Sequence, residues 1–198
     1  MSVDPDTLRP GDIVFIRIDN FLYRRVAAST GSWISHVGIL YDRLPDGQWR
    51  VAESAVPRCR LTRLDRFLKR SREGRFAVRR LRIEWTGESL ERMREAVRKR
   101  LGLWYHLGFD HQSPRQYCSK FVAEVVAEAA GLKLGEPESF QSLRERNPDY
   151  PLWFWRLWFL GRIPWARLTL SPAVLYDSPE LVPVAEGSAR SSARSSKG

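Results

Sequence analysis

Two runs rich in branched and aromatic residues, Ser35 to Tyr41 and Trp49 to Ala55, flank Leu44-Pro45-Asp46-Gly47. That tetrapeptide is hairpin-loop chemistry, so the two runs are expected to pair antiparallel. With a four-residue loop Gly38 stands opposite Glu53, and His36 lies one diagonal step away on the same face, about 7 to 8 Å between β-carbons. Trp49, Val51 and Glu53 share that face, and a carboxylate among large apolar neighbours needs a partner. His36 is the nearest one, and a salt bridge to one of the many arginines is the alternative. By itself His36 reads equally as a hydrogen-bonded core histidine.

Around this hairpin the chain alternates short strands and helices. Gly11 to Ile18 follows a Pro-Gly turn and reads as the first strand, Phe21 to Ser29 as a short helix, Leu64 to Arg70 as another, and Arg75 to Ile83 as a strand. Leu90, Met93, Val97 and Leu101 recur at helical spacing between charges, which marks an amphipathic helix over 88–101. After a glycine-rich aromatic loop a second helix opens at Cys118, with Phe121, Val122, Val125, Val126 and Ala129 inward and Gly131 as its stop. Ser171 to Tyr176 reads as a helical turn and Leu181 to Val184 as a last strand. The expected division is one folded unit over 1–186 and a low-complexity, disordered basic and serine-rich tail over 187–198.

Cys118 carries the chemistry best. The first turn of a helix stabilises a thiolate because its unsatisfied backbone N–H groups point at it. An isolated cysteine on an apolar helix face is otherwise a small buried hydrophobe. Taken together, a thiol, an imidazole and a carboxylate form a working set: the thiolate attacks a carbonyl, the imidazole moves the proton and the carboxylate fixes the tautomer. Cys59 lies between Arg58 and Arg60, with no histidine near in sequence and no helix start, and reads as incidental. His106 and His111 have no further ligands at zinc-like spacing, so neither metal nor any other cofactor is expected.

The chain carries two cysteines and a formal charge of +10. So few cysteines fit a reducing compartment better than a disulfide framework. The excess of arginine favours anionic partners, but no zinc-finger spacing or aromatic ribonucleoprotein motif accompanies it, so nucleic acid is not expected. The start has no basic and apolar signal segment, which points to a cytoplasmic or peripheral membrane location, with export by another route left open. From Pro151 to Trp165 four tryptophans and two phenylalanines crowd around Arg156 and Arg162. The segment is too short and charged to span a bilayer. It reads either as core or as a surface for anionic membranes.

Pro10-Gly11-Asp12-Ile13, Ser35-His36-Val37-Gly38-Ile39, Val51-Ala52-Glu53-Ser54 and Tyr117-Cys118-Ser119 resemble, in that order, the permuted papain-like amidases of the YaeF/YiiX type, within the NlpC-like superfamily. Ser171-Pro172 and Asp177-Ser178-Pro179-Glu180-Leu181 look like that family's closing stretch. The resemblance implies an α+β fold in which a small barrel-like antiparallel sheet bears His36 and Glu53 and packs against the helix of Cys118. It further implies that Tyr105 occupies the place of a family tyrosine whose hydroxyl assists an oxyanion. Lys120, where glutamate is common, and Trp104, where proline is usual, depart from the pattern.

Three readings follow. The first is a thiol hydrolase of amide bonds acting on peptides or amino-acid amides, cell-wall peptides included. The second keeps the site but moves it to lipid, as a membrane-surface acyl hydrolase or acyltransferase. The third is an inactive module that binds a peptide or anion.

Overall fold

The computed structural model describes residues 3–188; most of the tail expected beyond Glu186 lies outside them. One six-stranded antiparallel sheet organises the chain, in the order β4-β3-β2-β1-β5-β8. Its strands are β1 (Ile13–Ile18), β2 (His36–Arg43), β3 (Trp49–Ser54), β4 (Cys59–Arg63), β5 (Ser71–Leu81) and β8 (Leu181–Gly187). A two-stranded ribbon pairs β6 (Glu138–Ser139) with β7 (Leu168–Thr169). The helices are α1 (Phe21–Ser29), α2 (Leu64–Lys69), α3 (Gly87–Arg100), α4 (Cys118–Ala130), α5 (Phe140–Arg146), α6 (Trp153–Trp158) and α7 (Pro172–Tyr176).

The expected β2–β3 hairpin forms, with one difference. Arg43 pairs with Trp49, so the loop is a residue longer than four, and a bulge between Leu40 and Asp42 absorbs the extra residue. Beyond the bulge Ile39 faces Ala52, and running the ladder on by one sets Gly38 opposite Glu53. A bulge inserts one residue and shifts register by one, which restores the side-chain parity that the site needs. Gly38 must lack a side chain here, because a β-carbon would stand 2.4 Å from Val51 and 3.2 Å from the Phe67 ring.

Alternation along the strands divides the apolar residues between the two sheet faces. Val37, Ile39 and Ala52 pack with Ile13 and Phe15 against Phe121, Val122 and Val125 of α4. Leu40 and Val51 pack with Val14, Ile16 and Phe67 of α2 on the other face. Helix α4 follows its apolar repeat and stops at Gly131, whose left-handed backbone (φ 68°) suits glycine. The Pro-Gly-Asp motif before β1 is structural: buried Asp12 takes two hydrogen bonds from Arg80, at 2.7 and 2.8 Å, and one from the Arg9 backbone. Ser171-Pro172 is likewise a helix start, with the Ser171 hydroxyl accepting from Val174 N.

Several elements differ from the sequence reading. Strand β4 went unread because Arg58, Arg60 and Arg63 put three cations into six residues, yet its pairing with β3 is continuous from Arg50↔Arg63 to Ser54↔Cys59. Strand β5 starts four residues earlier than expected, and β8 runs on to Gly187, which pairs with Phe76. Helices α5 and α6 had no clear period because both are shorter than two full turns.

Candidate active site

His36 is the first residue of β2, so its ring emerges at the end of the sheet, fully buried between Phe67 and Tyr23. Tyr23 meets it edge to face, with ring centroids 5.4 Å apart. The imidazole Nε2 lies 2.6 Å from Glu53 Oε2. Its Nδ1 makes no hydrogen bond, and the Cys118 thiol is the ring's other polar neighbour. With Nε2–H donated to the carboxylate, Nδ1 is the basic nitrogen on the thiol's side.

Glu53 is buried and has more partners than the sequence reading allowed. Arg70 donates to Oε2 at 2.6 Å, while Thr62 and Arg60 donate to Oε1 at 2.6 and 3.2 Å. Both options for Glu53, the histidine and an arginine, are therefore realised together. Arg60 stands directly opposite Glu53 in the β3–β4 ladder, and Thr62 lies two residues on, on the same face. Burial pushes the Glu53 carboxyl up, but the hydrogen bond and charge of His36, with Arg70 and Thr62, outweigh it and hold it well below the usual carboxylate range. Burial pushes the His36 imidazolium down, and the nearby Cys118 thiol and the Glu53 carboxylate more than reverse this, so its pKa is raised.

Cys118 opens α4, and Tyr117 before it is extended and supplies no side-chain cap. The first N–H groups of the helix are therefore left without an intrahelical partner beside the thiol. The neighbours in the Tyr-Cys-Ser motif fasten this end: Ser119 donates to Leu170 O at 2.6 Å, and Leu170 N donates to the Tyr117 hydroxyl at 2.9 Å. Lys120, the departure from the family pattern, is buried and donates to the carbonyls of Ser113 and Arg115, tying down the loop that leads into Cys118.

Tyr105 arrives from the loop after α3. Its N–H donates to Pro57 O at 2.9 Å, and it bridges to Gln116, two residues before Cys118. Its buried hydroxyl interacts with both the Cys118 thiol and the Tyr23 hydroxyl. Burial first, and then the neighbouring Tyr23 and Cys118, raise the Tyr105 pKa well above 10, so it stays a hydrogen-bond donor. The structure thus brings Cys118, His36, Glu53 and Tyr105 together. Sequence reasoning missed Tyr23, Arg60, Thr62 and Arg70. The first sits on the buried side of α1, and the others belong to, or closely follow, the unread strand β4.

The remaining candidates lie elsewhere. Cys59 is buried in the core, hydrogen-bonded through its backbone to Leu103 and Gly102, and burial raises its pKa. His106 accepts from Gly108 N at 2.9 Å, and burial lowers the pKa of both His106 and His111. Among the described residues no three His, Cys, Asp or Glu side chains gather as a metal-ligand set.

From Cys118 a cleft of about 870 Å³, open solvent at its mouth included, leads away between α1, α5 and α6. Tyr23, Tyr105, Phe109 and Tyr117 line its inner part, and Val26, Leu143, Trp155, Phe159, Ile163 and Trp165 its outer part. The aromatic segment is therefore neither all core nor all surface. Phe154 is buried, Trp155 and Phe159 wall the cleft, and Trp153 is 51% exposed.

The comparisons with known proteins bear on the family and the fold. The family described as "Permuted papain-like amidase enzyme, YaeF/YiiX" matches residues 7–185. The uncharacterized protein YiiX of Escherichia coli (strain K12) is 26% identical over 176 residues, 89% of this chain and 85% of that protein. The crystal structure of metalloprotein yiiX from Escherichia coli O157:H7 superposes with a TM-score of 0.82 at 26% identity, covering 91% of this chain and 98% of the other. With the motifs in family order and the family match spanning nearly the whole sheet and all its helices, this chain belongs to the permuted papain-like amidase family of the YaeF/YiiX type.

Proposed function

We propose that this chain hydrolyses amide bonds through a thioester formed on Cys118. The observation that carries the reading is a buried imidazole with one nitrogen fixed 2.6 Å from a carboxylate and the other facing a thiol at a helix start. His36 Nδ1 takes the thiol proton, and the thiolate adds to the substrate carbonyl carbon. The resulting oxyanion is met by backbone N–H groups at the start of α4 and by the Tyr105 hydroxyl. Collapse breaks the C–N bond as Nδ1 returns the proton to the leaving amine. Water then gives a proton to Nδ1 and adds to the thioester carbon, the C–S bond breaks as Nδ1 returns that proton to the sulfur, and the acid leaves. Glu53 stays ionised throughout, holding the ring and stabilising the imidazolium. The similar YiiX protein of known structure is called a metalloprotein, but the described residues here offer no ligand set for a metal, and no step is assigned to one.

Alkylation tests the assignment. Iodoacetamide near neutral pH should modify Cys118 at least tenfold faster than Cys59, read by peptide mapping, and Cys118→Ala should abolish hydrolysis of amino-acid amides with the melting temperature little changed. Preferential labelling of Cys59, or full activity in Cys118→Ala, would sink the reading.

A further inference from the structure

The cleft that begins at Cys118 is walled almost wholly by hydrocarbon. Of the side chains beyond the thiol, Val26, Phe140, Leu143, Trp155, Phe159 and Ile163 offer no charge. The one cationic lining residue, Arg144, turns its guanidinium to the carbonyls of Asn147 and Tyr150, at 3.4 and 2.9 Å. A peptide backbone placed here would lose its water and find few partners, at a cost of roughly 1 to 3 kcal/mol for each unpaired polar group. A methylene chain loses nothing. The volume lies within the roughly 300 to 1,000 Å³ of ordinary ligand clefts.

The outer side of the cleft wall is also apolar. Leu157 is 70% exposed and Leu160 90% exposed, and Trp153 lies against half-exposed Phe21 with ring centroids 6.3 Å apart. Arg25 from α1 stands over this patch, 4.6 Å from Trp153 and 5.0 Å from Phe21. From Tyr150 to Tyr176 the chain has no acidic residue, while Arg156, Arg162 and Arg167 are present. Exposed leucine and tryptophan beside Arg25, on a stretch of chain that carries arginine and no acidic residue, match the interface of an anionic bilayer: rings and leucines enter the headgroup boundary and guanidinium groups meet phosphate.

Resting on the thiol reading above, we propose that the acyl half of the substrate is a long hydrocarbon chain of a membrane lipid, seated in this cleft while α6 lies on an anionic bilayer. Cys118 attacks the lipid's acyl carbonyl and forms the C–S bond. The lipid's amine or alcohol departs with the proton held on His36, and water releases the fatty acid. Trp155, Phe159 and Leu143 act here as the residues that select chain length.

Two measurements on the full chain test this. The first is kcat/KM on p-nitrophenyl esters from acetate to dodecanoate, which should rise at least tenfold with chain length, with Leu143→Trp moving the optimum to shorter chains. The second is fatty acid released from vesicles of phosphatidylglycerol and phosphatidylethanolamine. Release should require Cys118 and fall as salt is raised, and the ratio of vesicle to soluble-ester rate should drop at least fivefold in the double variant Leu157→Asp, Leu160→Asp. A flat or falling chain-length profile with acetate still turned over would overturn the acyl cleft and leave the thiol chemistry standing. A rising profile without fatty acid release from vesicles would overturn the membrane source. If neither esters nor iodoacetamide react at Cys118, both readings fall. Should the leucine variant fail to fold, the wild-type profile and vesicle assay decide the matter alone.

Discussion

The two sides of the candidate site are built on opposite principles. On the sheet side Glu53 is buried behind His36 and gathers Arg60, Thr62 and Arg70, so four directed contacts converge on one carboxylate. On the far side of Cys118 almost nothing is directed: rings meet edge to face, as Trp155 meets Phe109 at 6.1 Å and Phe154 at 4.8 Å. The polar side fixes a proton path to one geometry, because a buried charge is tolerated only when its partners are in place. The aromatic side fixes only shape and dryness. Mutations should therefore be sharply position-dependent on the first side and graded by burial on the second.

The largest effect should come from Glu53→Ala, which leaves His36 facing no acceptor and Arg70 without its carboxylate. Breaking a buried pair in this way costs about 3 to 5 kcal/mol, and turnover should fall with it. Glu53→Gln keeps the shape and the Thr62 contact. It should hold its fold and lose less activity than Cys118→Ala, since an orienting residue is partly dispensable. Thermal melts and steady-state kinetics on the three variants separate holding from chemistry, and an active Glu53→Ala would show that the brace does not orient His36.

On the aromatic side the comparison is between neighbours. Phe154 is buried among Phe21, Trp155 and Trp158, so Phe154→Ala should destabilise by about 3 to 5 kcal/mol. Trp153, half exposed on the same helix and touching Phe21, Phe154 and Arg25, should cost about 1 kcal/mol when replaced by alanine. Equal losses in a denaturant titration would show that the outer face of α6 is part of the core.

The two sides were unequally legible in the sequence. The hairpin could be read because a period of two forces parity: once Trp49, Val51 and Glu53 share a face, a loop one residue longer is compensated by a bulge, and the pairing of His36 with Glu53 survives. The brace could not be read, because Arg60 and Thr62 sit in a short strand with no clean alternation of apolar and polar residues, and Arg70 follows a helix of only six residues. Tyr23 gave no signal beyond being apolar on one face of α1. The cleft was legible as a concentration of tryptophan but not as a shape, since which rings point inward depends on how α6 is hung from Leu107, through Trp158 Nε1 at 2.9 Å.

The buried pair also sets a pH window. The Glu53 pKa is depressed from 4.5, so its contribution is complete above that value and is lost as pH falls towards the folded pKa. The His36 pKa is raised from 6.5, so its contribution is complete below that value and is lost as pH rises through the folded pKa. Together they stabilise most between roughly pH 4.5 and 6.5, declining to either side. Melting temperature against pH should show both limbs in the wild type. Glu53→Gln, with no carboxylate to protonate, should flatten the acid limb, and an unchanged acid limb would mean that other carboxylates, not Glu53, govern acid unfolding.

The smallest expected difference lies within the brace itself, between its two arginines. Arg70 approaches the same oxygen that holds His36, at 2.6 Å, and packs its guanidinium 4.9 Å over the Phe67 ring, which also touches the imidazole. Arg60 reaches the other oxygen at 3.2 Å with its side chain 43% exposed, so water can replace much of what it gives. Exposed ion pairs contribute up to about 1 kcal/mol, which is less than about fivefold in a rate constant. Arg60→Met should therefore lower kcat by less than about fivefold, whereas Arg70→Met should lower it by about tenfold or more, since its charge-assisted bond is shorter and its side chain, 27% exposed, is less screened by water. The readout that separates positioning from simple packing is the pH dependence of kcat/KM. Without Arg70 the carboxylate keeps a larger share of its charge for His36, so the histidine limb should move upward in Arg70→Met and hardly at all in Arg60→Met. If both variants shift that limb alike, Glu53 is held by the two arginines as one unit, and the distinction between its two oxygens has no bearing on the imidazole.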